Sequence, residues 1–202
     1  MALMPQPNLH MQQPHLRLNP WGPFGLPLLL SLLLSLGTGS LTVAQPTASG
    51  EYLLKAAFLY NFAKFVEWPE TSFADGQAPL TLCVLGQDPF GSALDALTEK
   101  SIKGRPLHIT RLSQPSNAGD CHILFIDRTE IPHTHAILST LNVKAILTVC
   151  DDERCAQQGM MINLRTVNDK IQMEMNVEAI QRTPLKVSSQ LIKLAHVIKE
   201  NR

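Results

Sequence analysis

Residues 51–69 read EYLLKAAFLYNFAKFVEWP, an almost unbroken helical segment. Leu54, Phe58, Phe62 and Phe65 recur at helical spacing, while Leu53, Ala57, Tyr60, Ala63 and Val66 occupy most of the remaining circumference. Only Lys55, Asn61 and Lys64 make a polar remainder, so the pattern predicts a core helix covered on more than one side. Pro69 ends it, because the proline lacks a backbone donor and biases Trp68 away from helical geometry.

Upstream, residues 1–44 have the form of an export signal. Arg17 is their only charge, and it precedes the apolar run LPLLLSLLLSL from Leu26 to Leu36 and the small-residue stretch ending Thr42-Val43-Ala44. The apolar run is far short of the roughly 20 residues that span a bilayer, so cleavage after Ala44 is expected. The domain then runs over residues 48–202, an ordinary size for one core. The whole chain carries 17 Lys+Arg against 17 Asp+Glu, so the exported part is close to neutral, with no basic stripe to follow phosphates. Export implies an oxidising compartment, where Cys83, Cys121, Cys150 and Cys155 suit two disulfides. Three pairings are open from the count alone. A structural metal site is the alternative, but no CxxC occurs and no histidine cluster accompanies the cysteines.

Downstream, LTLCVLG (Leu80 to Gly86), CHILFID (Cys121 to Asp127) and KAILTVC (Lys144 to Cys150) are short apolar runs without alternation, the mark of strands covered on both faces. Between them lie a helix from Asp88 and Pro89 through Lys100, a strand PLHITRL, and a helix near residues 133–141. This alternation predicts parallel βα units. GMMINLR (Gly159 to Arg165) and DKIQMEMN (Asp169 to Asn176) are joined only by Thr-Val-Asn, which requires an antiparallel hairpin. In its second arm Ile171, Met173 and Met175 face the core, and Gln172, Glu174 and Asn176 face away toward solvent or a partner. A short helix from Val177 to Arg182 and a final helix from Ser188 or Ser189, with Leu191, Leu194, Ala195 and Ile198 inward, close the chain. The fold class expected is a single-domain, three-layer, Rossmann-like α/β mixed sheet with a buried N-terminal helix and a C-terminal helix.

No catalytic set stands out. Gly86 to Gly91 has phosphate-loop spacing, but Ser92 and Ala93 stand where Lys and Ser/Thr are needed. His133 and His135 read as surface residues, and Asp151-Asp152-Glu153, followed by Arg154, as a solvated loop. Met160, Met161, Met173 and Met175 read as strand packing with an adaptable surface as the second option. No cofactor or metal is expected, nor enzymatic activity.

Four stretches in order, KAAFLYNFAKFVEWP from Lys55, CVLGQDPFG from Cys83, GMMINLRTVNDKIQMEMNVEAIQR from Gly159 and LKVSSQLIKLAHVIK from Leu185, resemble the YfiR (HmsC-like) family of periplasmic regulators. The resemblance implies a periplasmic α/β protein that binds the periplasmic sensor region of an inner-membrane diguanylate cyclase and represses it, lowering cyclic di-GMP and biofilm formation. It also implies disulfides Cys83 with Cys121 and Cys150 with Cys155. An outer-membrane sequestering lipoprotein and a second copy of the chain are further expected partners. Arg154, Arg165, Gln172 and Glu174, on the hairpin and adjoining clip loop, are the candidate contacts. The competing reading is a small-ligand-binding protein or small enzyme, with a cleft at the strand carboxyl ends near Gly86, Asp88 and Asp127.

Overall fold

The computed structural model describes residues 49–141 and 144–199. The expected leader and its cleavage point therefore lie outside the described residues. Helix α1 (Gly50–Phe65) leads into a two-residue strand β1 (Val66–Glu67). The chain then forms β2 (Leu80–Leu85), the single turn α2 (Ser92–Asp95), β3 (Ser101–Ile102) and β4 (Arg105–Leu112). Next come β5 (Ile123–Ile126), α3 (Thr134–Leu141) and β6 (Leu147–Cys150). The hairpin strands β7 (Ile162–Val167) and β8 (Lys170–Asn176) follow, then α4 (Val177–Gln181), β9 (Lys186–Val187), α5 (Ser189–Leu194) and β10 (His196–Ile198).

Eight of these strands form one mixed sheet in the order β3-β4-β2-β5-β6-β7-β8-β10. Strands β4, β2, β5, β6 and β7 run parallel, β8 returns antiparallel on β7, and β3 is antiparallel to β4. The continuous apolar runs in β2, β5 and β6 have a direct explanation. Leu82, Val84, Ile123, Phe125, Leu147 and Val149 belong to a core shared with α1, while Cys83, Leu85, Leu124, Ile126 and Cys150 belong to a second core with Ile137 and Leu141 of α3. Helices on both faces leave no wet side, so alternation of polarity disappears.

Four expectations about local structure are corrected. Helix α1 stops at Phe65, ahead of the Trp68-Pro69 boundary, because Val66 and Glu67 pair with Val187 and Lys186 as a small separate ladder. It is also covered on one face only: Leu53 is 55% and Leu54 50% exposed, whereas Lys55, assigned to the polar remainder, is fully buried. The helix expected through Lys100 is a single α-turn, since Gly91 before it has φ +50° and the residues after it close tighter bonds such as Lys100 N–H to Leu97 O. The last helix ends at Leu194, and His196–Ile198 pair in parallel with Glu174–Asn176 as the sheet's outer strand. Its β-branched Val197 and Ile198 suit that role.

The β7–β8 hairpin forms as expected, but its turn is Asn168-Asp169, with Thr166 and Val167 still in the strand. Both turn residues have positive φ (50° and 59°), as two-residue hairpin turns that match strand twist require.

Candidate functional site

The clip loop after β6 is the point where the polar chemistry of the molecule concentrates. Asp151 immediately follows the last residue of β6, at the carboxyl end of the parallel strands, and its side chain is wholly buried. Lys55 Nζ, itself fully buried on α1, donates to Asp151 Oδ2 at 2.7 Å. Lys55 also binds Glu51 one turn earlier on the helix. Tyr52 Oη donates to Asp151 Oδ2 at 2.8 Å, and Arg128 Nε donates to Oδ1 at 3.2 Å. Thr166 of β7 donates its hydroxyl to Glu51 Oε1 at 2.8 Å, tying α1 to the hairpin.

Two carboxylates and two cations balance in this cluster. The hydrogen bond from Lys55 holds the Glu51 carboxyl below its ordinary range. Burial, reinforced by the Asp151 charge, pushes the Tyr52 phenol well above its usual value, so it remains a donor. The Asp151 bond raises the Arg128 guanidinium further.

Both disulfides lie in the second core, on the α3 side of the sheet. Cys83 of β2 is bonded to Cys121, just ahead of neighbouring β5, across a Cα separation of 5.9 Å. Cys150 is bonded to Cys155 across 6.6 Å, and no cysteine is free. Inside this short loop Asp152 Oδ1 accepts from the Arg154 backbone N–H and from Arg154 Nε, each at 3.0 Å. That bond keeps the Asp152 carboxyl low. Glu153 is exposed and reaches Arg165 Nη2 at 4.0 Å, linking the loop to β7.

The four residues expected on the contact surface fall into two groups. Arg154, Arg165 and Gln172 present side chains at the surface to differing degrees, and Arg165 and Gln172 stand opposite one another in the hairpin. Glu174 is buried; it accepts from Asn163 Nδ2 and Arg165 Nη1, each at 2.9 Å. The outward face of β8 is thus wet only near the turn, since Asn176 is also buried and caps α4 through the Ala179 N–H. Glu174 orients Arg165 rather than lying open itself.

The cluster of Glu51, Tyr52, Lys55, Arg128, Asp151 and Thr166, buried at Lys55 and Asp151, went unread in the sequence. Its one local signal was the four-residue spacing of Glu51 and Lys55, a helical ion pair. Near Gly86, Asp88 and Asp127, where the competing reading places a cleft, Gly86 is closely packed and both carboxylates are engaged by the protein itself. A Cβ on Gly86 would lie 2.9 Å from Glu130 Cγ, and Gly86 has φ +91°. Asp127 Oδ2 accepts from Thr129 N–H and its hydroxyl, and Asp88 accepts from Phe90 N–H and Arg111 Nε. Among the described residues no three His, Cys, Asp or Glu side chains converge on a common metal position. None of their helices is long and apolar enough to cross a membrane.

The sequence profile of the YfiR/HmsC-like family matches residues 52–196, spanning α1 through the first residue of β10. The chain belongs to the YfiR/HmsC-like family. This family is regulatory rather than catalytic and periplasmic in setting, and the two disulfides of this member suit an oxidising compartment. No curated protein matches the sequence.

Proposed function

We propose that this YfiR/HmsC-like protein acts in the periplasm by binding the periplasmic sensor region of an inner-membrane diguanylate cyclase and holding it inactive. The observation that carries the reading is the family match across nearly the whole folded domain. The geometry supports a role exerted by contact: the acids and cations at the strand ends bind one another and brace the clip loop against α1. The surface of that braced loop, with Arg154, continues to Arg165 through Glu153 and to Gln172 across the hairpin. Glu174 acts from beneath by fixing Arg165. Repression follows if this surface binds the inactive cyclase conformation more tightly than the active one.

The test is affinity capture from solubilised membranes with the exported protein as bait, together with cyclic di-GMP measurement in a deletion strain. Recovery of a membrane cyclase and a rise in cyclic di-GMP on deletion are expected. Unchanged cyclic di-GMP with no cyclase recovered defeats the reading.

A further inference from the structure

The two segments that carry the proposed contact surface are anchored from below in the same way. In β7, Arg165 and Thr166 are consecutive, so their side chains leave opposite faces of the strand. Arg165 meets Glu174 and Glu153 on one face, and on the other the Thr166 hydroxyl donates to Glu51 Oε1 of α1 at 2.8 Å. The clip loop repeats the arrangement. Arg154 is exposed, while Asp151, three residues earlier, is buried and accepts from Lys55 Nζ of α1 at 2.7 Å. Both anchors end on one helical turn, because Glu51 and Lys55 are themselves an i,i+4 ion pair.

Little slack remains along this path. Cys150 and Cys155 are bonded to each other, so Asp151 and Arg154 belong to one small covalent ring and a shift of one moves the other. Lys55 and Asp151 are both fully excluded from solvent. Glu51, its carboxyl held below the ordinary range by Lys55, is charged, and charge-assisted hydrogen bonds are the strong ones. The surface link between the two segments is weaker. Glu153 reaches Arg165 only at 4.0 Å and its side chain is 74% exposed, so solvent screens the attraction.

We infer that Glu51 is a positioning residue for the contact surface: without touching a partner, it holds the clip loop and the hairpin in one register. Arg154 and Arg165 are thereby presented at a fixed spacing, and a disturbance of either segment reaches the other. That the two segments meet a cyclase rests on the regulatory reading; that Glu51 couples them does not.

Hydrogen exchange read by mass spectrometry on the intact exported protein tests it, comparing wild type with Thr166→Val, Thr166→Ser, Glu51→Gln and Glu153→Gln. Valine keeps the β-branched shape of threonine and loses the donor. Thr166→Val is therefore expected to speed exchange at least about threefold in the clip loop, residues 151–158, as well as in the hairpin. Thr166→Ser restores the hydroxyl and is expected to return the clip loop to the wild-type rate. Glu51→Gln should speed exchange in both segments, and Glu153→Gln, which cuts the surface link alone, should leave the hairpin unchanged. Exchange in β2 and β5 should stay at the wild-type rate throughout. A Thr166→Val effect confined to the hairpin, or spread evenly through β2 and β5, overturns the inference. So does a hairpin effect of Glu153→Gln as large as that of Glu51→Gln. Capture from solubilised membranes separates positioning from the regulatory reading. Cyclase capture that Thr166→Val weakens and Thr166→Ser restores supports positioning. Capture undiminished by Thr166→Val and Glu51→Gln leaves regulation standing and defeats it. With no cyclase captured by wild type, the regulatory reading fails and the exchange pattern alone decides whether Glu51 joins the two segments.

Discussion

Lys55 Nζ and Asp151 Oδ2 lie 2.7 Å apart with both side chains fully excluded from solvent, joining the first helix to the disulfide-clipped loop 96 residues later. Removing one member of such a pair strands the other, at a cost of about 3–5 kcal/mol. Asp151→Ala is expected to destabilise by that order, tempered by the Glu51 carboxylate that still reaches Lys55. The double variant K55M/D151L should lose much less than the sum of the singles, because no buried charge is left alone. A double-mutant cycle by urea denaturation checks this, and strictly additive losses would contradict it.

The two disulfides close loops of very different length, 38 and 5 residues of sequence separation. Chain entropy assigns about 4 kcal/mol to the longer and about 2 kcal/mol to the shorter. Cys83→Ser is therefore expected to lower the melting temperature more than Cys150→Ser. Equal melting temperatures would show that the shorter bridge stabilises chiefly through Asp151 and its ion pairs.

His122 is buried beside Phe73 and Trp68, with Nδ1 accepting from Thr81 N–H at 3.0 Å and Nε2 donating to Ser72 O at 3.1 Å. Burial holds its pKa below the ordinary 6.5. Between the lowered folded value and the unfolded one the unfolded chain binds more protons, so stability falls as pH drops below about 6.5. His122→Gln is expected to flatten that part of the stability profile, measured by denaturation at pH 5 and pH 7. An unchanged slope would remove His122 as the cause.

Gly86 closes β2 at φ +91° with the turn after β5 packed against it. Gly86→Ala meets both a strained backbone and the Glu130 side chain at 2.9 Å. A loss of about 1–3 kcal/mol is expected. Wild-type stability in a denaturant titration would show that Glu130 and the turn yield freely.

On the proposed contact surface, Arg154 is exposed and its side chain binds Asp152 of the same loop. Arg154→Glu is expected to leave the melting temperature close to that of the wild type while weakening cyclase capture. Arg165→Glu should weaken capture too, with an added stability loss from placing a like charge against Glu174. Capture unaffected by either variant would move the interface elsewhere.

Some features of this protein were legible in the residue order because they depend on local pattern. The unalternating runs of β2, β5 and β6 announced strands covered on both faces. The short link before Asp169 required a hairpin, and the resemblance to the family carried the disulfide pairing that the structure bears out. Other features depended on partners distant in sequence. Lys55 reads as a surface residue until Asp151 arrives from the end of β6, and Leu54 reads as core until the chain leaves it uncovered. The tail after Leu194 reads as helix until the open side of β8 offers it hydrogen bonds. Burial and pairing are properties of the assembled sheet: periodicity says that a face is apolar or a side chain charged, but only the packed fold decides what meets it.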